Sequence, residues 1–272
     1  MEGDKPSVQI VIAAHKPYRM PADPIYLPLQ VGASGKESIG FRRDDEGENI
    51  SELNPFFCEL TGLYWAWKNA EADYRGLVHY RRHFGSEKES KDPWEAILTE
   101  KELRPHLGKV RLFVPERRYY YIETLYSHYA HTHYATQLDE TRKIIQEINR
   151  DEVFYFDAVL QQRKGYMFNM LIADRELFSA YCSWIFEILF ELKRRIGKES
   201  ETELDAYQGR LYGRVSEILF NVWVSRELRE GRLRAEEMME LPVVYMEKVD
   251  WKKKGMAFLK AKFAGKRYQK SF

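Results

Sequence analysis

The sequence predicts an α/β fold, and three observations lead to this prediction. Residues 8–14 (VQIVIAA) form a β-branched run with the composition of a buried strand. Residues 54–67 carry apolar side chains at helical spacing and lead into a short apolar strand at 76–78. Helical periodicity dominates residues 174–228, so the C-terminal part is expected to be helical. A chain of 272 residues is long enough to bury a sizeable core and is predicted to form one main domain.

The charge distribution argues against a nucleic-acid-binding protein. The whole chain has a net charge of +1, yet residues 251–272 contain eight Lys or Arg and no acidic residue. Residues 1–250 therefore carry a net charge of −7. A nucleic-acid-binding domain is expected to be basic. The chain is thus divided into an α/β domain at 1–250 and a basic, aromatic tail at 251–272.

The first predicted strand ends in Ala14 and passes directly into His15 and Lys16. Many nucleotide-binding α/β domains begin this way, with the ligand beyond the carboxyl end of the strand. Neither GxGxxG nor GxxxxGK[ST] occurs, which excludes the dinucleotide fingerprint and the P-loop. Ala14, His15 and Lys16 are candidates for nucleotide contact, and an ordinary solvated turn is the alternative.

A second extended segment is predicted at 25–32, where Pro28 favours a sheet edge. Residues 33–53 have no periodicity. A loop of this length inside a compact domain is uncommon and often functional.

Residues 49–84 carry the main functional prediction. Asn54 is suited to cap a helix and Pro55 to occupy its first position. The strand at 76–78 then ends in a cationic turn that contains His79, Arg81 and Arg82. Guanidinium groups bond phosphate oxygens in pairs, so this turn is suited to a diphosphate. The alternative is that the two arginines form surface ion pairs, which are common and weak.

The middle of the chain contains a second basic turn and a group of histidines. A helix is predicted at 94–103 and a strand at 110–114, with Arg117 and Arg118 beyond that strand. His128, His131 and His133 follow in an HxxHxH spacing. No carboxylate or cysteine pattern supports zinc there. Contact with substrate, or a plain aromatic surface, is the preferred interpretation of His131 and His133.

Helices are predicted at 138–148 and 151–160, the second carrying Asp157. A buried strand is predicted at 165–172 with one polar residue, Asn169, whose amide must be hydrogen-bonded either to backbone or to a ligand.

Asp174 is expected to cap a helix at 176–195. The next helix, at 210–228, places Arg214, Glu217 and Asn221 on one face. That face is either functional or simply the solvated side of the helix.

No signal peptide and no run of eighteen apolar residues is evident, so a cytoplasmic protein is expected. Cys58 and Cys182 are expected to be buried thiols. The tail at 251–272 mixes basic and bulky apolar residues. This composition suits peripheral contact with an anionic membrane at the inner face of the plasma membrane, and a solvated tail is the alternative.

Seven segments together resemble a bacterial family known as domain of unknown function 4422. Its members sit among capsular and exopolysaccharide glycosyltransferases, some of them assigned as galactofuranosyltransferases. The segments run in the family's order over about residues 8–225. They are IVIAAHKP, IYLPLQVG, NISELNPFFCELTGLYWAWKN, DYRGLVHYRRHF, HTHYATQLDETRKII, GYMFNMLIADRELF and GRVSEILFNVW. The most specific part is CELTGLYWAWKN followed by GLVHYRR.

The resemblance implies a fold, a reaction and a donor. The expected fold is a single Rossmann-like nucleotide-binding domain of the GT-A type, with a mixed, mainly parallel sheet. The implied activity is a nucleotide-sugar-dependent hexosyltransferase. It would move a sugar, galactofuranose or another hexose, from a UDP-linked donor to a capsular, exopolysaccharide or O-antigen glycan, free or lipid-linked.

The resemblance also implies roles for individual residues. Many GT-A enzymes place a metal-binding Asp-x-Asp where this chain has His79-Tyr80-Arg81. Fixed cations are expected to replace the metal, so metal-independent transfer is predicted, with Mn²⁺ or Mg²⁺ as the alternative. Asn169 is placed near the donor sugar. Further expected roles are a base among Asp157, Asp174 and Glu217, phosphate contact at Asn54, and sugar or acceptor contact at Glu59, His131, His133 and Arg214.

Two other functions compete with a glycosyltransferase. The first is a non-catalytic nucleotide- or glycan-binding module on the same fold. The second is a phosphoryl-transfer or hydrolytic enzyme, which the missing P-loop and the missing metal-binding acids make less favoured.

Overall fold

The computed structural model describes residues 5–86 and 90–247, with the side chains of residues 199–201 and 203 excepted. The basic tail predicted at 251–272 lies outside the described residues, so its proposed membrane contact stays a prediction.

The described residues form eleven β-strands, most of them three to seven residues long. They are β1 (Val8–Ala14), β2 (Tyr26–Gln30), β3 (Arg42–Arg43), β4 (Tyr74–His79), β5 (Arg82–Phe84), β6 (Leu112–Pro115), β7 (Arg118–Tyr119), β8 (Lys164–Gly165), β9 (Leu171–Asp174), β10 (Met238–Leu241) and β11 (Val243–Tyr245).

The same residues form eight α-helices. They are α1 (Asn54–Phe57), α2 (Leu60–Asn69), α3 (Glu100–Leu103), α4 (Leu125–Thr132), α5 (Ala135–Ile148), α6 (Val153–Leu160), α7 (Arg175–Glu203) and α8 (Leu211–Arg229).

Nine of the strands form one mixed sheet. Its main path runs β10-β6-β9-β4-β1-β2-β3, with β5 and β11 attached beside β4. Along this path only β9 opposes the others, because its pairings with β4 and β6 are antiparallel whereas the remaining pairings are parallel. The predicted α/β class with a mixed, mainly parallel sheet and a helical C-terminal part is confirmed.

This topology decides which segments meet at one edge of the sheet. The carboxyl ends of β1, β4, β6 and β10 lie at the same edge, because these strands run in the same direction. Strand β9 runs the other way, so its first residue, Leu171, pairs near the end of β4. The segments that follow β4, β6 and β10 and the segment that precedes β9 therefore converge.

Both faces of the sheet are buried, which explains why its central strands are apolar throughout. Successive side chains of a strand point to opposite faces. Val11 and Leu77 belong to the larger core, which includes residues of α2, α7 and α8. Ile10 and Val78 belong to a second core on the other face.

Helix α8 is the central helix of the larger core. It is buried on nearly all sides, including its polar residues Asn221, Arg226 and Glu227. Asn221 fixes the segment before β9: its Oδ1 accepts from the Tyr166 N–H at 2.7 Å, and its Nδ2 donates to the Tyr166 carbonyl at 2.8 Å. The stripe of Arg214, Glu217 and Asn221 is therefore not a solvated face.

Several predicted elements differ from the structure. The helix predicted to begin at Asn54 is two helices, because Cys58 has a left-handed φ of 55° that interrupts it. Asn54 is not the N-cap, since its Nδ2 donates to the Cys58 carbonyl at 2.7 Å. The strand predicted at 165–172 is likewise broken, because Phe168 and Asn169 have positive φ.

Other boundaries were only partly correct. The helix predicted at 94–103 is confined to its last turn, α3. Asp174 does cap the long helix α7, since its Oδ1 accepts from the Leu177 N–H at 2.8 Å. Cys58 and Cys182 are buried free thiols, as expected.

The long loop between β2 and α1 is held by a buried carboxylate. Asp44 is fully buried and accepts from the N–H groups of Gly32 and Ala33 at 2.9 and 3.0 Å and from the Ser51 hydroxyl at 2.5 Å. Gly32 has a φ of +63°, and a side chain there would collide with Asn54. These local hydrogen bonds order a loop whose sequence has no helical or strand periodicity.

Within the part of the chain that the structure describes, none of the helices is both long and apolar enough to span a bilayer.

Candidate active site

A polar cavity opens at the edge of the sheet where the converging segments meet. Its walls come from the β4–β5 turn, the segment before β9, the chain from β7 to the start of α5, and the first turns of α2 and α8. It is lined by Cys58, Glu59, His79, Arg81, Arg82, Arg118, Tyr120, Leu125, His128, Tyr129, His133, Met167, Phe168, Tyr207, Arg210, Gly213, Arg214, Glu217 and Ile218.

Arg81 and Arg82 both line this cavity, as the turn after β4 directs them. The Arg81 guanidinium lies 5.3 Å from the Tyr80 ring centre and 3.6 Å from a Glu247 carboxylate oxygen, a separation typical of a weak pair. The Arg82 guanidinium stacks 4.6 Å above the Phe168 ring. Its buried Nε has no hydrogen-bond partner among the described residues. Burial, followed by the charge of Arg81, lowers the pKa of Arg82.

Three further arginines face the same cavity, and of these only Arg214 was assigned to the site from the sequence, as a sugar or acceptor contact. Arg118 follows β6, and Arg210 and Arg214 lie at the start of α8. The Arg210 Nε lies 3.0 Å from the Cys58 sulfur, and Arg214 donates to the carbonyls of Tyr207 and Gln208. With Arg81 and Arg82 they place five guanidinium groups around one cavity that contains two carboxylates, Glu59 and Glu217. The arrangement is suited to a multiply charged anion.

Glu217 projects from α8 into the cavity and is a candidate base. Its Oε1 accepts from the Phe168 N–H at 2.8 Å. Burial, helped by the negative charge of Glu59, raises the pKa of Glu217 to about 7. A carboxyl group with a pKa near neutrality can take up a proton during a reaction and still be ionised in much of the population.

Asn169 fixes the position of Glu59 by a hydrogen bond to its carboxylate. The Asn169 amide is buried, and its Nδ2 donates to a Glu59 carboxylate oxygen at 2.7 Å and to the Gly213 carbonyl at 2.8 Å. Its Oδ1 accepts from the Ser216 hydroxyl at 2.8 Å. The side chain of Asn169 is thus fully engaged with protein groups, and it positions Glu59 and α8 instead of lining the cavity.

The backbone of the cavity wall has a positive φ at three non-glycine residues. Cys58, Phe168 and Asn169 have φ values of 55°, 78° and 53°. Asparagine tolerates this region, whereas Cys58 and Phe168 are strained there at a cost of order 1–3 kcal/mol each, and such strain occurs often at functional sites. The His79 Nε2 lies 2.5 Å from the Phe168 carbonyl. Since a carbonyl can only accept, this nitrogen carries the proton. Burial lowers the pKa of His79.

The residues predicted beyond β1 lie beside the cavity and do not line it. His15 contacts the Tyr80 ring edge-on at 5.2 Å between centroids, and the Lys16 ammonium lies 5.4 Å from the same ring. Burial, followed by the charges of Arg81, Lys16 and Arg210, lowers the pKa of His15. The end of β1, including the fully buried Ala14, therefore lies in the electrostatic field of the cavity arginines.

Two of the three histidines of the HxxHxH segment share one carboxylate, and the third contacts a different residue. The Nδ1 atoms of His128 and His131 donate to opposite oxygens of the buried Glu123, at 2.9 and 2.5 Å. The His133 Nδ1 donates to the Gln208 Oε1 at 3.1 Å. His128 and His133 line the cavity, whereas His131 does not. No group of three metal-ligating side chains occurs among residues 5–86 and 90–247.

Three predicted residues are placed away from the cavity. Asp157 forms a two-pronged ion pair with Arg142, with both distances 2.7 Å, on the outer surface of α5 and α6. Asp174 pairs in register with Tyr74, the first residue of β4, and so lies at the opposite edge of the sheet. Asn54 packs under Gly32. Glu217 is the one candidate base of the three that the fold brings to the arginines.

The sequence contained a partial signal for the missed arginines. Arg118 directly follows a predicted strand, as Arg81 and Arg82 do, and the same rule applies to it. Arg210 could not be placed, because its position depends on how α8 packs against the α1–α2 junction through Phe57, Cys58 and Tyr212.

Comparison with known proteins agrees with this architecture. A solved structure titled "WbbM bifunctional glycosyltransferase apo structure" superposes with a TM-score of 0.80 at 30% sequence identity. The match covers 89% of this chain and 46% of that chain, so this chain spans less than half of the length of the larger protein. This likeness in fold supports the predicted single Rossmann-like, GT-A-type class. No curated protein matched the chain.

A family model with the description "Domain of unknown function (DUF4422)" matches residues 9–228. This range contains the sheet except for β10, β11 and the first residue of β1, and it contains the five cavity arginines and Glu217. The chain therefore belongs to the DUF4422 family.

Proposed function

We propose that this chain is a glycosyltransferase that moves a sugar from a nucleotide-sugar donor to an acceptor glycan. The observation that carries the proposal is that Arg81 and Arg82 line the same cavity as Glu217, a buried carboxyl group whose pKa is raised to about 7. Sugar transfer requires positive charge that stabilises the departing diphosphate, and it requires a base that removes the proton from the acceptor hydroxyl. The likeness to a structure titled as a bifunctional glycosyltransferase supports the same reaction class.

The diphosphate of the donor is assigned to the arginine side of the cavity. The Arg82 Nε–H group has no hydrogen-bond partner among the described residues and is available to a phosphate oxygen. Arg81 contacts the Tyr80 ring and forms a 3.6 Å ion pair with Glu247. Arg118, Arg210 and Arg214 extend the positive field around the cavity. Fixed guanidinium groups can neutralise the charge that develops on a departing diphosphate, as a divalent ion does elsewhere. Transfer without a metal therefore remains our proposal.

The nucleoside is assigned to the end of β1. His15 and Lys16 are exposed there, packed over the buried Tyr80 ring, and they lie within the field of Arg81 and Arg210. A planar base can stack on these exposed side chains while the diphosphate extends toward Arg81. Uridine is the proposed nucleoside, and galactofuranose or another hexose is the proposed sugar, by analogy with the family.

The chemical step follows from these positions. The acceptor hydroxyl oxygen attacks the anomeric carbon while the bond from that carbon to the diphosphate oxygen breaks. The bonding electron pair leaves with the nucleoside diphosphate, whose charge the arginines stabilise. The hydroxyl proton passes to the ionised Glu217 carboxylate. Glu59, held by Asn169, lies close enough to raise the pKa of Glu217 and is assigned to contact with the sugar or the acceptor.

The biological setting is proposed on the resemblance alone. A capsular, exopolysaccharide or O-antigen glycan is the proposed acceptor, and a cytoplasmic location is proposed with it. The competing function, a non-catalytic nucleotide- or glycan-binding module, would use the same cavity but would need no base.

A thermal-shift and product assay tests the proposal. The purified chain is heated with UDP, GDP and UDP-sugars, with EDTA or with Mn²⁺, because a ligand that binds the native state raises the melting temperature. We expect UDP to raise it in EDTA, and we expect UDP-sugar hydrolysis or transfer in EDTA. Activity that EDTA abolishes and Mn²⁺ restores would overturn metal independence. Binding without any turnover of any nucleotide sugar would favour the module.

A further inference from the structure

Exposed tyrosines form a surface beside the cavity that the proposed reaction does not use. Tyr119 and Tyr121 are 56% and 78% exposed, and Tyr121 is among the most exposed large hydrophobic side chains of the described residues. Their ring centres are 6.3 Å apart and the rings are inclined by 33°. The Lys164 ammonium lies 5.6 Å from the Tyr119 ring centre. Together with Ile122, which is 54% exposed, the two rings form a contiguous exposed patch, and such patches often mark binding sites.

This tyrosine surface is continuous with the cavity. Arg118 and Tyr120 line the cavity, whereas Tyr119 faces solvent, as expected from the alternation of side chains along β7. Tyr121 faces solvent from the turn that follows β7. The ladder with the facing strand continues past β7, since the Tyr120 N–H donates to the Arg163 carbonyl at 2.8 Å. A ligand that leaves the cavity past Arg118 therefore meets the two rings directly.

The turn holds Tyr121 in an unfavourable backbone conformation. Its φ is 52°, a region in which glycine or asparagine is usual, and the Ile122 N–H donates back to the Tyr120 carbonyl at 2.6 Å. The Arg163 Nη1 donates to the Tyr121 carbonyl at 3.3 Å. A tyrosine here strains the turn, and the fold gains no packing from a ring that is mostly in solvent. This combination indicates a role outside folding.

We propose that Tyr119 and Tyr121 form a binding platform for the acceptor glycan, on which sugar rings stack as the chain enters the cavity. The inference rests on the proposed function, which it deepens by assigning the acceptor to this side of the cavity. Aromatic faces receive the C–H face of a sugar ring, and the phenol hydroxyls can bond sugar hydroxyls. The two ring centres are 6.3 Å apart, so both rings can contact one short saccharide.

A saccharide fits this surface better than a membrane does. Membrane-binding surfaces combine a broad apolar face with basic residues. Here the exposed apolar set on the turn is two phenols and Ile122, which form a narrow ridge at the mouth of a polar cavity. The continuity with Arg118 points to a ligand that reaches the reaction centre.

The test uses the full chain with both tyrosines replaced. Tyr119→Thr keeps a strand-forming residue, and Tyr121→Asn relieves the left-handed backbone, so the double variant is expected to fold at least as well as the parent. Phe154→Ala is the matched control, since Phe154 is 61% exposed on α6, outside the cavity lining. Binding is measured on an array of neutral di- to hexasaccharides of galactose, glucose, mannose and rhamnose. Flotation with phosphatidylcholine–phosphatidylglycerol vesicles is measured in parallel.

We expect the parent to bind at least one saccharide, and the double variant to bind it about tenfold more weakly. Phe154→Ala should change the saccharide Kd by less than about twofold, and the UDP-induced rise in melting temperature should be the same in all three proteins. No saccharide binding by the parent, equal binding by the double variant, or a loss confined to vesicle flotation would each overturn the platform. An absent UDP response together with tyrosine-dependent saccharide binding would instead overturn the proposed function and leave the platform standing.

Discussion

The Glu217 carboxylate accepts a hydrogen bond from the backbone N–H of Phe168 at 2.8 Å, and Phe168 holds a φ of 78°. The carbonyl of the same residue accepts from His79, and its ring lies under Arg82. One strained residue thus contacts the candidate base, the end of β4 and a candidate diphosphate ligand. Backbone strain at this point costs stability and is offset by the buried network of Asn169, Ser216 and Asn221.

The first prediction concerns the pH dependence of transfer. Glu217 acts as a base only when ionised, and its pKa is raised to about 7. The rate at saturating donor is therefore expected to rise with pH and to reach half of its plateau near pH 7. Glu217→Gln should lower kcat by about 10²–10⁴-fold and abolish the rise in rate with pH. The measurement is kcat from pH 5 to 9 for both proteins.

The outer carboxylate Asp157 provides the control for that experiment. Asp157→Asn breaks only a surface pair with Arg142, so transfer should stay within about twofold of the parent and stability within about 1 kcal/mol. If Asp157→Asn abolished transfer while Glu217→Gln retained it, the assignment of the base would be wrong.

The second prediction is that removing the Glu217 charge stabilises the fold at alkaline pH. A carboxyl group whose pKa is higher in the folded than in the unfolded chain binds more protons when folded. The free energy of unfolding therefore falls as pH rises from about 4.5 to about 7. The rise in the pKa of Glu217 from 4.5 to about 7 corresponds to roughly 3 kcal/mol of unfolding free energy. Glu217→Gln should be more stable than the parent at pH 8, and the two should be similar near pH 4.5.

Urea unfolding at pH 8 and pH 5 measures this difference. A variant that is less stable than the parent at both pH values would show that the ionised carboxylate is well accommodated, which would contradict the burial argument.

The third prediction concerns Arg82. Arg82→Gln removes a guanidinium group that is partly buried, which lowers the pKa of Arg82. Its Nε has no hydrogen-bond partner among the described residues, so the substitution breaks no bond at that atom and the fold should survive. Because the variant lacks the Arg82 guanidinium at the proposed diphosphate site, kcat/KM for the donor should fall by about 10²–10³-fold. Arg82→Lys should recover only part of this, because an ammonium cannot bond two phosphate oxygens in the same fork geometry.

Arg142→Gln is the matched control, since Arg142 pairs with Asp157 outside the cavity. The measurement is steady-state kinetics in EDTA, with circular dichroism to check folding. Unchanged donor kinetics in Arg82→Gln would remove Arg82 from the diphosphate site.

The sequence predicted the strands and the cationic turn well, because both depend on local patterns. β1 was predicted at its observed bounds, and Arg81 and Arg82 were assigned to a strand end that does face a cavity. Local patterns failed where tertiary packing overrides them. Cys58 and Phe168 adopt positive φ values that their own propensities do not favour, and Asn169, which tolerates such a φ, adopts one inside an apolar run that predicts a strand. These are also the residues that shape the cavity wall.

The three candidate bases show the limit of local sequence patterns more clearly. Asp157, Asp174 and Glu217 all lie on or beside predicted helices, and the sequence did not rank them. Only the sheet topology separates them, since β9 runs antiparallel and carries Asp174 to the edge away from the cavity. The polar stripe on α8 had two interpretations, and the near-complete burial of that helix decides between them.

The fourth prediction concerns the loop between β2 and α1. Asp44 is fully buried and accepts three hydrogen bonds, two of them from backbone. Asp44→Ala leaves these donors unsatisfied and should lower the free energy of unfolding by about 2–4 kcal/mol. Asp139→Asn, at an exposed site with one long contact to Tyr126, should change it by less than about 0.5 kcal/mol. Urea unfolding compares the two, and equal effects would show that the buried cluster does not order the loop.

The last prediction separates the two causes that raise the pKa of Glu217. Burial is the larger cause, and the charge of Glu59 adds to it. Glu59→Gln removes a like charge, so the half-maximal point of the pH–rate profile should move to lower pH by up to about one unit, while most of the displacement remains. Glu48→Gln is the control, because Glu48 pairs with Lys68 at the surface and its loss should leave the midpoint in place. Since Glu59 also contacts Asn169, kcat itself is expected to fall, and the position of the midpoint is the informative quantity. A midpoint that moves to higher pH would mean that Glu59 supports ionisation of Glu217, and the electrostatic account of the base would have to be reversed.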